Sequence, residues 1–306
     1  MLKITGTFLD EITWDIPHQN WSRAQWQQDF KAMKNIGIDT VIMIRSGLRR
    51  FMTWDSKVLS KRVGAFTPPE DLVTMFLDLA EENDMQFYFG TYDFGRQCTM
   101  ETAANDVDVI KAAAAEAWEK YGTRKAFKGW YLSVEISRNN IPVVDGYAQL
   151  GKFLKDMSGN LPVLISPLIQ GVKAVGEQYK ISPETHYKEW NEIMGKIEGA
   201  VDILAFQDGH VDYDELPEYL QINAELARKH GMESWTNCET FDRDMPIHFL
   251  PIKWEKMWNK LRAAERVGFE KAITFEFSHF MSPNSMYISA HHLYDRYCEY
   301  VASRQE

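Results

Sequence analysis

Acidic side chains stand near the carboxyl ends of apolar runs that otherwise have the composition of buried strands. Glu135 is the second-last residue of the run KGWYLSVEI, and Glu239 is the last residue of the run ESWTNCE. A lone carboxylate is costly to bury, so its repeated placement at strand ends indicates a shared task. Two carboxyl groups that flank a glycosidic bond can hydrolyse it, because one protonates the leaving oxygen while the other attacks the anomeric carbon or activates water. Glu135 and Glu239 are therefore the candidate catalytic pair.

Further polar and aromatic side chains at these strand ends, or in the loops that follow, are candidate substrate-binding residues. The polar candidates are Asp10, Glu11, Arg45, Asp93, Gln207, Asp208, His210, Asn237 and Glu276. Sugar rings present an apolar C–H face that stacks on aromatic rings, which adds Trp14, Trp54 and Tyr92. The charges around the two glutamates would push their pKa values apart, as acid and base roles require.

Eight apolar, β-rich runs alternate with helical segments along the whole chain. The strands are predicted at 4–10, 40–46, 86–93, 128–136, 162–168, 202–208, 233–239 and 271–278. The helices are predicted at 22–36, 68–83, 104–121, 144–157, 184–198, 215–230, 253–267 and 289–303. Eight βα units without a linker predict an α/β fold, a single (β/α)8 TIM barrel domain over residues 1–306. A doubly wound sheet is the rival fold, but no GxGxxG follows the first strand.

Closure of such a barrel would bring the strand ends together at one mouth, with the ends of strands 4 and 7 facing each other. The longest connections follow strands 2, 5 and 7, at 47–67, 169–182 and 240–252. Loops of this kind lie on the face where barrel active sites occur. The helical run KLRAAER at 260–266 predicts a solvated face without a role.

Composition excludes several classes of partner. The chain has 306 residues, 45% of them apolar, and a net charge of −10, which disfavours nucleic acids and anionic membranes. No apolar run approaches the roughly 20 residues that span a bilayer. Three scattered cysteines predict neither disulfides nor structural zinc. We expect no cofactor, no metal, a carbohydrate substrate, and a cytoplasmic protein, or an exported one whose signal peptide was removed.

Glutamates that end strands 4 and 7 resemble the pattern of the clan A retaining glycoside hydrolases. The resemblance implies that Glu135 is the acid/base and Glu239 the nucleophile. In that clan an arginine late in strand 2 commonly supports the nucleophile, and Arg45 has the matching place. The residue before the acid/base is usually an Asn that holds the sugar 2-hydroxyl, whereas here it is Val134.

Three motifs give a more specific resemblance. GTFLDEI at 6–12, FQDG at 206–209 and CETF at 238–241 resemble an uncharacterised barrel family, domain of unknown function 4434. The resemblance runs through most of the chain and implies a glycosidase-type barrel, without naming a sugar.

Two alternatives to a retaining glycosidase stay open. A divalent-metal sugar isomerase or epimerase could take hard ligands from separate strands. Its ligands would be Glu135, Asp208, His210, Glu239 and Glu276. A sugar-binding barrel without catalysis is the second alternative, which the Val134 departure supports.

Overall fold

The computed structural model describes residues 2–244 and 249–303, and its centre is a closed barrel of eight parallel strands. The strands pair in chain order, and β1 closes the barrel by pairing with both β2 and β8. They are β1 (Ile4–Leu9), β2 (Thr40–Met43), β3 (Gln86–Gly90), β4 (Phe127–Tyr131), β5 (Val163–Ile165), β6 (Ile203–Gln207), β7 (Glu233–Asn237) and β8 (Ala272–Thr274). The predicted fold class is confirmed.

One long helix follows each strand and packs on the outside of the barrel. These helices are α1 (Arg23–Asn35), α2 (Leu72–Glu82), α3 (Ala103–Tyr121), α4 (Ile141–Ser158), α5 (Pro183–Ile197), α6 (Leu216–Lys229), α7 (Trp254–Val267) and α8 (Ile288–Ala302). The largest difference from prediction is the start of α2, where Pro68 and Pro69 precede the helix instead of forming its first turn. Asp71 begins α2, because its carboxylate accepts a hydrogen bond from the backbone N–H of Thr74 at 2.9 Å.

Several strands are shorter than the apolar runs predict, because their regular hydrogen-bond pairing stops a few residues earlier. β4 ends at Tyr131, yet its extension keeps hydrogen bonds from Leu132 N–H to Leu164 O and from Leu168 N–H to Ile136 O. β7 likewise ends at Asn237, and the N–H groups of Cys238 and Thr240 still donate to the carbonyl oxygens of Ile273 and Phe275, in β8 and just after it. These extensions carry Glu135 and Glu239 to the barrel mouth.

Additional short elements form the loops at this mouth. After β2, the strand pair Gly47–Leu48 and Phe51–Met52 precedes the helix Lys57–Val63. After β7, Phe241–Asp242 pairs antiparallel with Leu250–Pro251. Residues 245–248 of the predicted 240–252 loop lie outside the described residues. Shorter helices follow β5 (Val172–Val175), β6 (the 3₁₀ helix Asp208–His210) and β8 (Phe277–Phe280).

The core has two layers, one inside the barrel and one between the strands and the outer helices. The inner layer is filled by Phe8, Ile42, Ile44, Tyr88, Tyr131, Leu164, Ile203, Ala205, Trp235 and Ile273. Gly129 makes room for one of these side chains, because a Cβ there would lie 2.3 Å from the ring of Tyr88. The barrel interior is therefore a packed core and not an open pore. Within the described part of the chain, no helix combines the length and apolar character that crossing a membrane requires.

Candidate active site

The barrel mouth holds a cavity of about 200 Å³ that both candidate glutamates line. Its walls come from the ends of most strands and from the loops after β1 and β7. The polar lining side chains are Thr13, Asp15, Arg45, Glu135, Gln207, His210, Asn237, Glu239 and Arg243. Residues distant in sequence thus converge on one concave site, as the barrel prediction requires.

Glu239 is a buried carboxylate that a paired arginine keeps ionised. The Arg243 guanidinium donates to both of its oxygens, from Nε to Oε2 at 2.9 Å and from Nη2 to Oε1 at 2.7 Å. Burial by itself would raise the pKa of Glu239, but the charge and hydrogen bonds of Arg243 lower this pKa to about 2. Glu239 therefore presents a negative charge to the cavity at any ordinary pH.

The surroundings of Glu135 change its pKa in the opposite direction. Its carboxyl group lies among the side chains of the mouth and accepts a hydrogen bond from the Tyr131 hydroxyl at 3.1 Å. Burial raises the pKa of Glu135, and the opposing charge of Arg45 offsets this effect only in part. One cavity thus contains a carboxyl group whose pKa is raised and a carboxylate whose pKa is lowered.

Behind Glu239, a buried ion pair holds the backbone. Lys260 on α7 donates to Asp208 Oδ1 at 2.7 Å and to the carbonyl oxygen of Glu239 at 2.9 Å. Asp208 Oδ1 also accepts from the Glu239 N–H at 3.0 Å. Lys260 is only 2% exposed, so the solvated face predicted for 260–266 is wrong at its first residue. Asp208 supports Glu239 from outside the cavity lining.

We expect Lys260→Met to destabilise the protein by roughly 3–5 kcal/mol, because Asp208 would be left buried without its counter-charge. Urea unfolding followed by circular dichroism measures the loss. The double change Lys260→Met with Asp208→Asn should recover part of it. Lys125→Met is the matched control, because Lys125 forms an ion pair at the surface. Its Nζ lies 3.6 Å from Asp84 Oδ1, and the side chains of Lys125 and Asp84 are 80% and 78% exposed. Equal losses for the two lysines would contradict the assignment.

Four predicted binding residues line the cavity, and a fifth supports one of them. Arg45, Gln207, His210 and Asn237 are part of the lining. Asp93 accepts from Arg45 Nε at 3.0 Å and so orients that guanidinium. Arg45 also donates to Thr13 Oγ1 at 2.9 Å, and the arginine that contacts the Glu239 carboxylate is Arg243.

His210 and Asn237 each keep a buried polar atom that has no partner within the protein. These atoms are His210 Nδ1 and Asn237 Oδ1. Burial lowers the pKa of His210 to about 4, so its ring is neutral and can donate or accept. Both residues line the cavity, although these two atoms are themselves shielded from solvent.

Three of the predicted binding residues, Trp54, Tyr92 and Glu276, are not part of the cavity lining. Trp54 is 1% exposed and packs edge-on against Tyr121 in the core. Tyr92 is buried, and its hydroxyl donates to the carbonyl of Arg49. Glu276 is fully buried, accepts from two backbone N–H groups of the helix that follows β8, and pairs with His279.

The acids that follow β1 stabilise their own loop instead of lining the cavity. Asp10 is buried and accepts from the N–H groups of Ile12 and Thr13 at 3.0 and 2.9 Å. Glu11 accepts from the N–H of Gln19 at 3.3 Å. Trp14 on the same loop is 65% exposed, with the Arg49 guanidinium 5.2 Å from its ring centre.

The ligand set of the metal-dependent alternative is not brought together. Within residues 2–244 and 249–303, no group of three or more His, Cys, Asp or Glu side chains is arranged to hold a metal ion. In the structure Glu276 binds the helix that follows it, Asp208 binds Lys260, and Glu239 binds Arg243.

Sequence reasoning missed Arg243, Tyr131 and Lys260. Arg243 lies four residues after Glu239 in the long loop that follows β7. An arginine so close to a candidate carboxylate, in a predicted mouth loop, was a usable signal. Tyr131 and Lys260 gave no such signal in the sequence. The direction of the Tyr131 side chain depends on barrel closure, and that of the Lys260 side chain depends on the rotation of α7 about its axis.

Comparisons with known proteins relate this barrel to glycoside hydrolases. A family model for a domain of unknown function (DUF4434) matches residues 4–287. A crystal structure from Bacteroides thetaiotaomicron VPI-5482, described as a putative alpha-L-fucosidase, is 55% identical with a TM-score of 0.95, covering 98% of this chain and 93% of that chain. No curated protein matches the chain.

More distant structures share the fold alone. The intracellular xylanase TsXylA of Thermoanaerobacterium saccharolyticum, crystallised with xylotriose, is 10% identical with a TM-score of 0.54, covering 90% of this chain and 85% of that chain. A GH2 beta-galacturonidase from Eisenbergiella tayi is 12% identical with a TM-score of 0.57, covering 97% of this chain and 51% of that chain.

Proposed function

Because this chain belongs to the DUF4434 family and its barrel resembles those of glycoside hydrolases, we propose that it is a retaining glycosidase. In this proposal Glu135 is the general acid/base and Glu239 is the nucleophile. The observation that carries the proposal is the pair of glutamates in one cavity, with the pKa of Glu135 raised and that of Glu239 lowered to about 2. Environments that separate two carboxyl pKa values assign acid and base roles.

The first chemical step uses both groups at once. Protonated Glu135 gives its proton to the glycosidic oxygen as the bond from that oxygen to the anomeric carbon breaks. An oxygen of Glu239 forms a bond to the anomeric carbon, which gives a glycosyl ester. In the second step Glu135, now a carboxylate, takes a proton from water, the water oxygen attacks the anomeric carbon, and the Glu239 carboxylate leaves.

The low pKa of Glu239 favours retention over inversion. An inverting enzyme would need this carboxylate to remove a proton from water, and a base with a pKa of about 2 does so poorly near neutral pH. A nucleophile need only be anionic, and a weakly basic carboxylate leaves readily in the second step. Arg243 occupies one lone pair on each oxygen of Glu239 and leaves another for attack.

Substrate recognition follows from the cavity wall and from the 55% identical protein. His210 and Asn237 line the cavity and carry side chains that hydrogen-bond hydroxyl groups, in place of the asparagine that Val134 replaces. Because that protein is described as a putative alpha-L-fucosidase, aryl α-L-fucosides are the first substrates to test, followed by other aryl glycosides.

The pH dependence of turnover tests the two assigned roles. Activity requires ionised Glu239 and protonated Glu135. Because the pKa of Glu239 is about 2 and that of Glu135 is raised, kcat/KM should stay high across the acidic range and fall as pH rises through the pKa of Glu135. In Glu135→Gln this alkaline fall should vanish. Activity that instead rises with pH through this range would contradict the roles.

Gly209 tests how closely the Glu239 carboxylate must be placed. A Cβ at residue 209 would lie 1.8 Å from Glu239 Oε2, so Gly209→Ala must displace the carboxylate. We expect kcat to fall about 100-fold, since misplacing a reacting group by about 1 Å costs this much. Gly195→Ala in α5 is the control, because its Cβ would meet only His230 at 3.6 Å. Unchanged kcat in Gly209→Ala would contradict the role of Glu239.

A further inference from the structure

A second concave surface lies next to the cavity, between the segment that follows β1 and the loop that follows β2. This aromatic groove has a volume of about 470 Å³. Its residues are Glu11, Ile12, Asn20, Trp21, Phe51 and Thr53, completed by the 66–72 segment. The proposed mechanism does not involve this groove.

The groove exposes aromatic rings to solvent. Phe51 is 64% exposed and Phe66 is 48% exposed, with ring centres 5.6 Å apart. The Arg50 guanidinium packs on the Phe66 ring, 4.3 Å from its centre. Clustered aromatic rings left in water at the rim of a site mark a surface that a ligand covers.

The polar groups of the groove suit hydroxyl groups. Glu11, Asn20 and Thr67 stand among the rings, and each side chain has hydrogen-bonding capacity beyond the one bond that it makes within the protein. Burial raises the pKa of Glu11 to about 7, so near neutral pH this carboxyl group exists in both protonation states. Aromatic faces mixed with amide, hydroxyl and carboxyl groups match the two kinds of surface of a sugar ring.

The groove and the catalytic cavity share one wall. Thr13, Asp15 and Ile16 line the cavity, whereas Glu11, Ile12 and Asn20 of the same segment line the groove. The exposed Trp14 lies in this segment.

Hydrogen bonds hold both walls of the groove in place. Asp10 holds the first turn of the segment, and Gln19 Nε2 donates to Ser278 O at 2.7 Å. The opposite wall is held by Phe66 N–H to Arg50 O at 2.8 Å and by Leu72 N–H to Thr53 O at 2.9 Å. The groove is therefore formed before any ligand arrives.

We infer that the aromatic groove is a second sugar subsite, which holds a further ring of the oligosaccharide whose bond is cut in the cavity. This inference rests on the proposed glycosidase function. Because Ile12 lines the groove and Thr13 lines the cavity, the two sites lie on either side of one segment, and the exposed rings give a glycan a stacking surface. The natural substrate is then an oligosaccharide, and an aryl monosaccharide fills only part of the site.

Glycan binding by an inactive chain tests the subsite separately from catalysis. The full chain carrying Glu135→Gln is applied to an array of plant and mucin glycans that runs from monosaccharides to longer oligosaccharides. We expect oligosaccharides to be retained more tightly than the corresponding monosaccharides. Adding Phe51→Ala or Phe66→Ala should weaken oligosaccharide binding about 10-fold, the scale of one lost stacking contact, and leave monosaccharide binding unchanged.

The control variant is Tyr179→Ala, because Tyr179 is 65% exposed on the loop after β5 and lines neither the cavity nor the groove. Thermal melting confirms that each variant is folded. The inference is overturned if no oligosaccharide is retained, if chain length makes no difference, or if the two phenylalanine variants bind like the control. If the retained glycans depend on Phe51 and Phe66 but the wild-type chain hydrolyses none of them, the groove stands as a sugar-binding site and the glycosidase proposal fails.

Discussion

Replacing Glu239 by Ala is expected to lower kcat by roughly 10⁴-fold or more, the scale on which enzymes lose activity when the nucleophile is removed. The bond from the carboxylate to the anomeric carbon cannot form without this side chain. The change also leaves the guanidinium of Arg243 without its partner, so unfolding must be measured beside turnover.

Azide separates loss of the nucleophile from loss of structure. A small anion in the space left by the side chain should restore turnover of Glu239→Ala and yield a glycosyl azide of inverted configuration. The matched control is Glu233→Ala, which removes an exposed glutamate from the other end of the same strand. Undiminished activity in Glu239→Ala, or loss of activity without azide rescue in a folded variant, would remove Glu239 from the mechanism.

Replacing Glu135 by Gln is expected to have an effect that depends on the leaving group. For natural glycosides, whose leaving oxygen must be protonated, kcat/KM should fall by roughly 10²–10⁴-fold. For aryl glycosides with strongly acidic phenols the first step needs no proton, so kcat/KM should fall far less. Gln has the shape of the protonated carboxyl group, which keeps packing losses small.

Kinetics across a series of substituted phenyl glycosides measures this dependence. In Glu135→Gln, log kcat/KM should fall steeply as the phenol becomes less acidic, whereas the wild-type slope should be shallow. Glu184→Gln on α5 serves as the control, because it changes a glutamate on an outer helix. An equal loss for good and poor leaving groups would show that Glu135 is not the acid.

The barrel itself could be predicted because its signals are local. Strand runs and helix boundaries depend on neighbouring residues, so the predicted helices agree with the structure to within a few residues, apart from the start of α2. Glu135 and Glu239 could be identified as candidates because parallel strands in a closed barrel bring their carboxyl ends to one mouth. The family predicted from the three motifs is also confirmed.

Residues in mouth loops could not be placed in the same way. Trp54 and Tyr92 were chosen because exposed aromatic rings bind sugars, but both rings are buried. Trp54 packs against Tyr121, and Tyr92 belongs to a short strand, Tyr92–Asp93, that pairs with Gly47–Leu48. Arg243 contacts Glu239 from the loop after β7, where the preceding residues Phe241–Asp242 pair with Leu250–Pro251. Burial of Lys260 depends on the rotation of α7, which a charged run does not reveal.

The measurement that most directly tests Glu239 as a covalent nucleophile is trapping with a 2-deoxy-2-fluoroglycosyl fluoride of the sugar that the enzyme hydrolyses. The fluorine at C2 slows both formation and hydrolysis of the glycosyl ester. Because fluoride is a good leaving group, formation stays fast enough for the ester to accumulate. Peptide mass spectrometry should then find one sugar attached to Glu239. A label on another carboxylate, or hydrolysis with inversion and no labelled peptide, would contradict the account.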